Sequence, residues 1–118
     1  MERDRYLIER YPWLCPYPND NGILLPSGWS DLILDLCEEL RVLLDKYNLV
    51  DKYRVAEAKE KWFMLRWYDY LTDGSEMPQD VVDLVMRYEE QSQYTCMLCG
   101  GFKSPTEPCC TYCMAIYY

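Results

Sequence analysis

The residues best suited to chemistry are sulfur ligands near the end of the chain: Cys96-Met97-Leu98-Cys99, followed by Gly100 and Gly101, and then Cys110-Thr111-Tyr112-Cys113. A C-x-x-C pair lets two thiolates converge on one metal ion, and a glycine after the second cysteine accepts the tight turn that results. Ten residues, Gly100 to Cys109, separate the pairs, enough for a short loop whose freedom Pro105 and Pro108 restrict. This spacing predicts a structural zinc ion held by Cys96, Cys99, Cys110 and Cys113. Cys109 adjoins Cys110 and competes for the same ligand position, but Cys110 preserves the two-residue spacer. Disulfides or unliganded thiols are the alternatives to a metal. Seven cysteines, an odd count crowded into such pairs, favour metal in a reducing compartment over a disulfide framework.

Catalysis has little to work with. The chain contains no histidine, which excludes the usual His-dependent serine and cysteine hydrolase chemistry. A catalytic zinc would also need an open position and commonly recruits His or carboxylate. No glycine-rich phosphate loop is present. Glu38-Glu39 and Glu89-Glu90 are sequence neighbours, so on a helix they diverge and need not share a proton. A non-enzymatic protein is expected.

The elements that would position the cysteines follow from periodicity. A helix is predicted from Ser30 to Tyr47, with Ser30 as N-cap, Trp29 as the entering hydrophobe, and an apolar stripe through Leu32, Ile33, Leu36, Cys37, Leu40, Leu43, Leu44 and Tyr47. Cys37 on that stripe reads as a small core side chain, not a nucleophile. A second helix is predicted from Pro78, as its first residue, to about Tyr94, buried through Val81, Val82, Leu84, Val85 and Tyr88, and it leads straight into the first cysteine pair. Before the first helix, Tyr6 to Arg10 suits a short helical turn. Pro12, Pro16 and Pro18 with Asn19 to Gly22 then enforce an irregular arm, within which Trp13, Leu14 and Cys15 face the core, Cys15 as a free thiol. Residues 53–71 are ambiguous: Val55, Ala58, Trp62, Leu65 and Tyr68 fit a helical repeat, whereas the aromatic and β-branched residues at both ends fit a hairpin.

At 118 residues, one core is expected, with a body over 1–95 and a metal-binding appendage over 96–118 forming one structural unit. The formal net charge of −8 falls to roughly −10 once four thiolates bind a divalent ion. Binding to nucleic acid relies on a basic stripe, so a basic protein surface is the better partner for such a chain. Most of the 12 tyrosines and 4 tryptophans are read as filling the core, with a tyrosine-rich contact face as the lesser alternative. Met1-Glu2-Arg3-Asp4-Arg5 lacks the apolar stretch of a secretory signal and no long apolar run follows, so a cytoplasmic location is expected.

Several blocks together resemble a family of uncharacterised phage and prophage proteins. They are Glu9-Arg10-Tyr11-Pro12, Gly28-Trp29-Ser30-Asp31-Leu32-Ile33, Val55 to Trp62, Leu65-Arg66-Trp67-Tyr68 and Tyr94-Thr95-Cys96-Met97-Leu98-Cys99-Gly100. The resemblance spans nearly the whole chain and implies a β-hairpin for the central block, from about Arg54 to Lys61 and Leu65 to Tyr70. Family members carry Phe-Gly-Gly there, and this chain carries Trp62-Phe63-Met64 in its place. The fold class is then α+β: two main helices packed on a small hairpin, with a C-terminal four-cysteine zinc knuckle. Lys59, Lys61 and Arg66 gather near one end of such a hairpin with Trp62, as a candidate partner contact. The resemblance further implies a protein acting in a bacterial host cell on a host protein, its sharpest version an inhibitor of an anti-phage nuclease or effector. A nucleic-acid or nucleotide-binding knuckle using Lys59, Lys61, Arg66 and Lys103 is the alternative.

Overall fold

Residues 2–14 and 25–117 are described by the computed structural model; the part of the expected irregular arm from Pro16 to Gly22 and the free thiol of Cys15 lie outside them. The predicted apolar stripe becomes helix α2, Ser30–Lys46, which buries Leu32, Ile33, Leu36, Cys37, Leu40 and Leu44. Ser30 does not act as the N-cap. A short 3-10 turn, Ser27–Trp29, leads into the helix, and the Ser30 hydroxyl donates to the Ser27 carbonyl at 2.7 Å. Trp29 occupies the cap position and is fully buried, its indole N–H donating to the Thr95 carbonyl at 3.0 Å. At the other end Asn48 adopts a φ of 57°, and the amides of Asn48 and Leu49 return to the carbonyls of Asp45 and Leu44 at 3.1 and 2.8 Å. That left-handed cap satisfies the last carbonyls of α2 and turns the chain toward the sheet.

The ambiguous central block is a hairpin. Strand β1, Tyr53–Lys61, pairs antiparallel with β2, Met64–Leu71, in a register that sets Tyr53 opposite Leu71, Lys59 opposite Arg66 and Lys61 opposite Met64, with an irregularity between Val55 and Glu57. Period-two burial decides the matter over the helical repeat: Leu65, Trp67 and Leu71 go inward while Tyr68 and Tyr70 go outward. The hairpin expected from about Arg54 to Lys61 and Leu65 to Tyr70 is thus the one that forms, and the helical alternative is not. Helix α3, Gln79–Ser92, starts one residue later than predicted, with Pro78 in the cap position, and ends two residues earlier. It packs on both α2 and β2. Two of its side chains also serve the sheet: Ser92 Oγ accepts the Leu65 amide at 2.7 Å and Glu89 accepts the Trp67 amide at 2.9 Å. Outward-pointing donors of β2, which an open edge would leave unpaired, are so covered.

Helix α1, Glu2–Arg10, is longer than the predicted turn, and the 3-10 turn Pro12–Leu14 that follows lays Trp13 and Leu14 on β1. Trp13 meets Tyr53 edge-on at 5.2 Å, the Tyr53 hydroxyl accepts from the Trp67 indole at 2.9 Å and donates to Asp69 at 2.7 Å. A last helix, α4, Thr111–Tyr117, begins within the second cysteine pair and was not anticipated. The architecture is α+β, and among the described residues no helix is long and apolar enough to cross a membrane.

Candidate metal centre

The sulfur atoms of Cys96, Cys99, Cys110 and Cys113 lie within 4.8 Å of one another. Tetrahedral coordination at a metal–sulfur distance of about 2.3 Å sets neighbouring sulfurs about 3.8 Å apart, and Cys99 and Cys110 stand at 3.7 Å. The donor set therefore fits a four-coordinate, closed site. None of Cys37, Cys96, Cys99, Cys110 and Cys113 is joined in a disulfide. Cys109 is buried beside the cluster but is not one of the four.

Local backbone geometry makes each pair a ligand. The amides of Leu98 and Cys99 point at Cys96 Sγ at 3.4 and 3.5 Å, that of Gly101 at Cys99 Sγ at 3.4 Å, and that of Cys113 at Cys110 Sγ at 3.4 Å. Such N–H groups stabilise negative sulfur. Burial works against ionisation of Cys96, yet the amides of Cys99, Cys110 and Leu98 outweigh it and bring its thiol down to about 6. Burial and neighbouring thiols push Cys113 up. One member of the unliganded cluster thus holds charge most readily, and a divalent ion is what allows all four to be thiolates together.

The cluster is welded to the body from two sides. Gly100, at a φ of 81°, closes the knuckle, and Gly28 lies against that turn with its amide donating to the Met97 carbonyl at 2.9 Å. A Cβ on Gly28 would sit 2.2 Å from the Cys96 carbonyl oxygen and 2.6 Å from the Met97 carbonyl carbon, so only glycine fits between α2 and the knuckle. From the other side comes Lys103, in the loop between the pairs and 1% exposed. Its ammonium donates to the carbonyls of Phe63 at 3.2 Å, Gln93 at 2.5 Å and Ser104 at 3.3 Å, which uses all three of its donors. Burial lowers its pKa, opposed by the nearby charges of Cys109, Cys96 and Glu60. Lys103 is a structural strut, and its expected part in nucleic-acid contact is incompatible with that burial. Nothing in the local sequence separates it from an ordinary loop lysine.

Lys103 also fixes the hairpin tip. Trp62 and Phe63 form a two-residue loop with φ of 57° and 64°, the left-handed pair that a type I′ turn requires and that Asn-Gly normally supplies. Phe63 is anchored at both ends of its peptide, its amide donating to Glu60 at 2.8 Å and its carbonyl accepting from Lys103. Trp62 is 77% exposed. Behind it on the outward face, Lys59 stands opposite Arg66, pairs with Glu57 at 3.2 Å and lies 5.8 Å over the Tyr68 ring; Lys61 is exposed. Arg66 is half-buried, and its Nε has no hydrogen-bond partner among the described residues. Next to Lys103 in sequence is one member of a further aromatic pair, Tyr94 and Phe102, stacked at 6.2 Å with Phe102 also 77% exposed.

Fold and site together define a small α+β protein in which the loop between the paired cysteines of a possible metal site braces a hairpin tip. Compared with family models, curated proteins and solved structures, the chain matches none. Of the features on which the phage-family resemblance rests, the four-cysteine cluster is the one established here.

Proposed function

We propose that the four cysteines hold a structural zinc ion and that the protein acts as a protein-binding module whose leading contact is the hairpin tip. Zinc suits four thiolates at tetrahedral spacing and would supply folding energy at this site, with no open position for chemistry. The observation that carries the binding reading is Trp62: a large aromatic side chain held in solvent, on backbone that disfavours any residue but glycine or asparagine. Neither the turn nor the core requires an indole there. Tryptophan on a preorganised loop is the kind of residue that anchors protein interfaces. The phage-like blocks of the sequence support a host bacterial protein as the partner, and an inhibitor of an anti-phage nuclease or effector is the sharpest form of that reading. Acidic character overall, −8, favours a partner with a basic surface.

The test uses the metal-loaded chain with a photo-crosslinker replacing Phe102, run against bacterial lysate with and without Trp62→Asn. A stoichiometric protein crosslinked by the parent and lost with the Asn variant is expected. Recovery of no stoichiometric partner, or equal recovery with both, overturns it. Metal analysis and cobalt absorption check the zinc assignment independently, with four thiolate ligands as the expected spectrum.

A second reading, a single-stranded nucleic-acid binder, draws on the outward face of the hairpin, where Lys59, Lys61 and Arg66 share one side with Tyr68. A salt-sensitive gel shift at about 50 mM salt, lost on Lys61→Glu, is its signature.

A further inference from the structure

A second surface lies along the first half of α3, away from the tip. Between α2 and α3 runs a groove of about 630 Å³ whose apolar lining is Val42, Leu43 and Leu84 and whose rim is Glu38, Glu39, Asp80 and Asp83 with Arg87. Val42 is 67% exposed at its centre. The rim is unusual in how it is held. Three tyrosine hydroxyls donate to three of its carboxylates: Tyr11 to Glu38, Tyr88 to Glu39, and Tyr47 to Asp80 at 2.6 Å. A phenol orients a carboxylate without cancelling its charge. Cations also touch the rim, Arg10 on Glu38 at 2.8 Å, Arg87 on Glu39 at 2.9 Å and Lys46 on Asp80 at 3.6 Å. The two helices remain strongly acidic even so, α2 with five carboxylates against two cations and α3 with four against one. The phenol hydrogen bonds, aided by those cations, keep Glu38, Glu39 and Asp80 below the usual carboxylate range, so the rim stays ionised at neutral pH.

We infer that this groove docks a basic amphipathic helix of a partner protein, apolar side chains on Val42, Leu43 and Leu84 and Lys or Arg against the phenol-held carboxylates. The inference rests on the protein-binding reading and supplies the chemistry of the partner. A groove between two helices is a ready seat for a third, with anchors at i, i+3, i+4 and i+7. A second copy of this chain is a poor occupant, since its α2 and α3 carry the same negative sign and neither α1 nor α4 carries a net positive charge.

The probe is a fluorescein-labelled helical peptide of about 14 residues, Leu at i, i+3, i+4 and i+7 and Lys elsewhere, titrated by anisotropy into the full metal-loaded chain. Its comparators are a scrambled peptide of the same composition and a Glu-for-Lys version. Binding at least tenfold tighter than the scrambled peptide is expected, weakened tenfold or more by Val42→Arg and about threefold by Asp83→Lys. Both substituted side chains are solvent-facing, so the fold is retained, as circular dichroism checks. Equal binding of the scrambled peptide reduces the effect to bulk charge and overturns the proposal, as does indifference to Val42→Arg. Self-association that Val42→Arg abolishes overturns it too, by giving the groove to a second copy. Trp62→Asn should leave peptide binding unchanged, so this test and the crosslinking test fail independently.

Discussion

Replacing Trp62 separates backbone strain from side-chain contacts at the hairpin tip. A non-glycine residue in the left-handed region is disfavoured by about 1–2 kcal/mol, least for Asn and most for a β-branched residue. At 77% exposure Trp62 buries about a quarter of its surface, and losing that burial costs roughly 1 kcal/mol at 25 cal/mol per Å². Trp62→Asn exchanges one quantity for the other and should leave stability within about 1 kcal/mol of the parent. Trp62→Val loses the same contacts while aggravating the strain. Asn should therefore exceed Val by about 2 kcal/mol. For a chain of 118 residues an unfolding entropy near 2.1 cal/mol/K per residue makes this a separation of about 8 °C in Tm. Thermal unfolding followed by far-ultraviolet circular dichroism, with both variants metal-saturated, reads it directly. Asn and Val variants that melt within about 2 °C of each other refute the left-handed turn, and with it the reason for regarding Trp62 as held against preference.

Loading the cluster with zinc at pH 7 should release about three protons, because Cys96 at about 6 is already largely ionised while Cys99 and Cys113 are raised; calorimetry in buffers of different ionisation enthalpy counts them. Gly28→Ala drives a methyl group into the knuckle backbone and should cost about 1–3 kcal/mol in urea unfolding while speeding loss of metal to a chelator. Lys103→Met leaves three carbonyls without their donor; a loss of about 1–3 kcal/mol is expected, with faster amide exchange at Phe63. Burial raises the carboxyl of Asp69, so the folded state holds that proton more tightly than the unfolded chain, and the penalty applies above the folded pKa. Asp69→Asn, which still accepts from Tyr53, should be more stable than the parent at pH 7, with the difference shrinking as pH falls into the carboxylate range.

Helices α2 and α3 were legible because their burial is local: Leu32 to Leu44 and Val81 to Tyr88 repeat at three and four residues whatever they pack against. The two cysteine pairs were legible because knuckle geometry lies within each four-residue segment. Residues 53–71 were not settled by pattern, since both periods are present and the choice came from α3, which covers Leu65 and Trp67 and binds their amides. Their two-residue turn lacks the glycine signal because strain in it is tolerated by anchoring Phe63 from outside. The roles of Gly28 and Lys103 were invisible because each rests on a contact distant in sequence: Gly28 meets the backbone of Cys96 to Leu98, and Lys103 reaches the Phe63 carbonyl. Ser30 misled as a cap because the docking of Gly28 dictates how the chain enters α2.

The position of Lys103 has a thermodynamic corollary. One ammonium joins the loop between the sulfur pairs to the peptide that presents Trp62, and any bias that metal occupancy would place on a contact at the tip would be returned equally by linkage. On the proposed reading, a partner held more tightly by the metal-loaded chain would raise the affinity for the ion by the same factor.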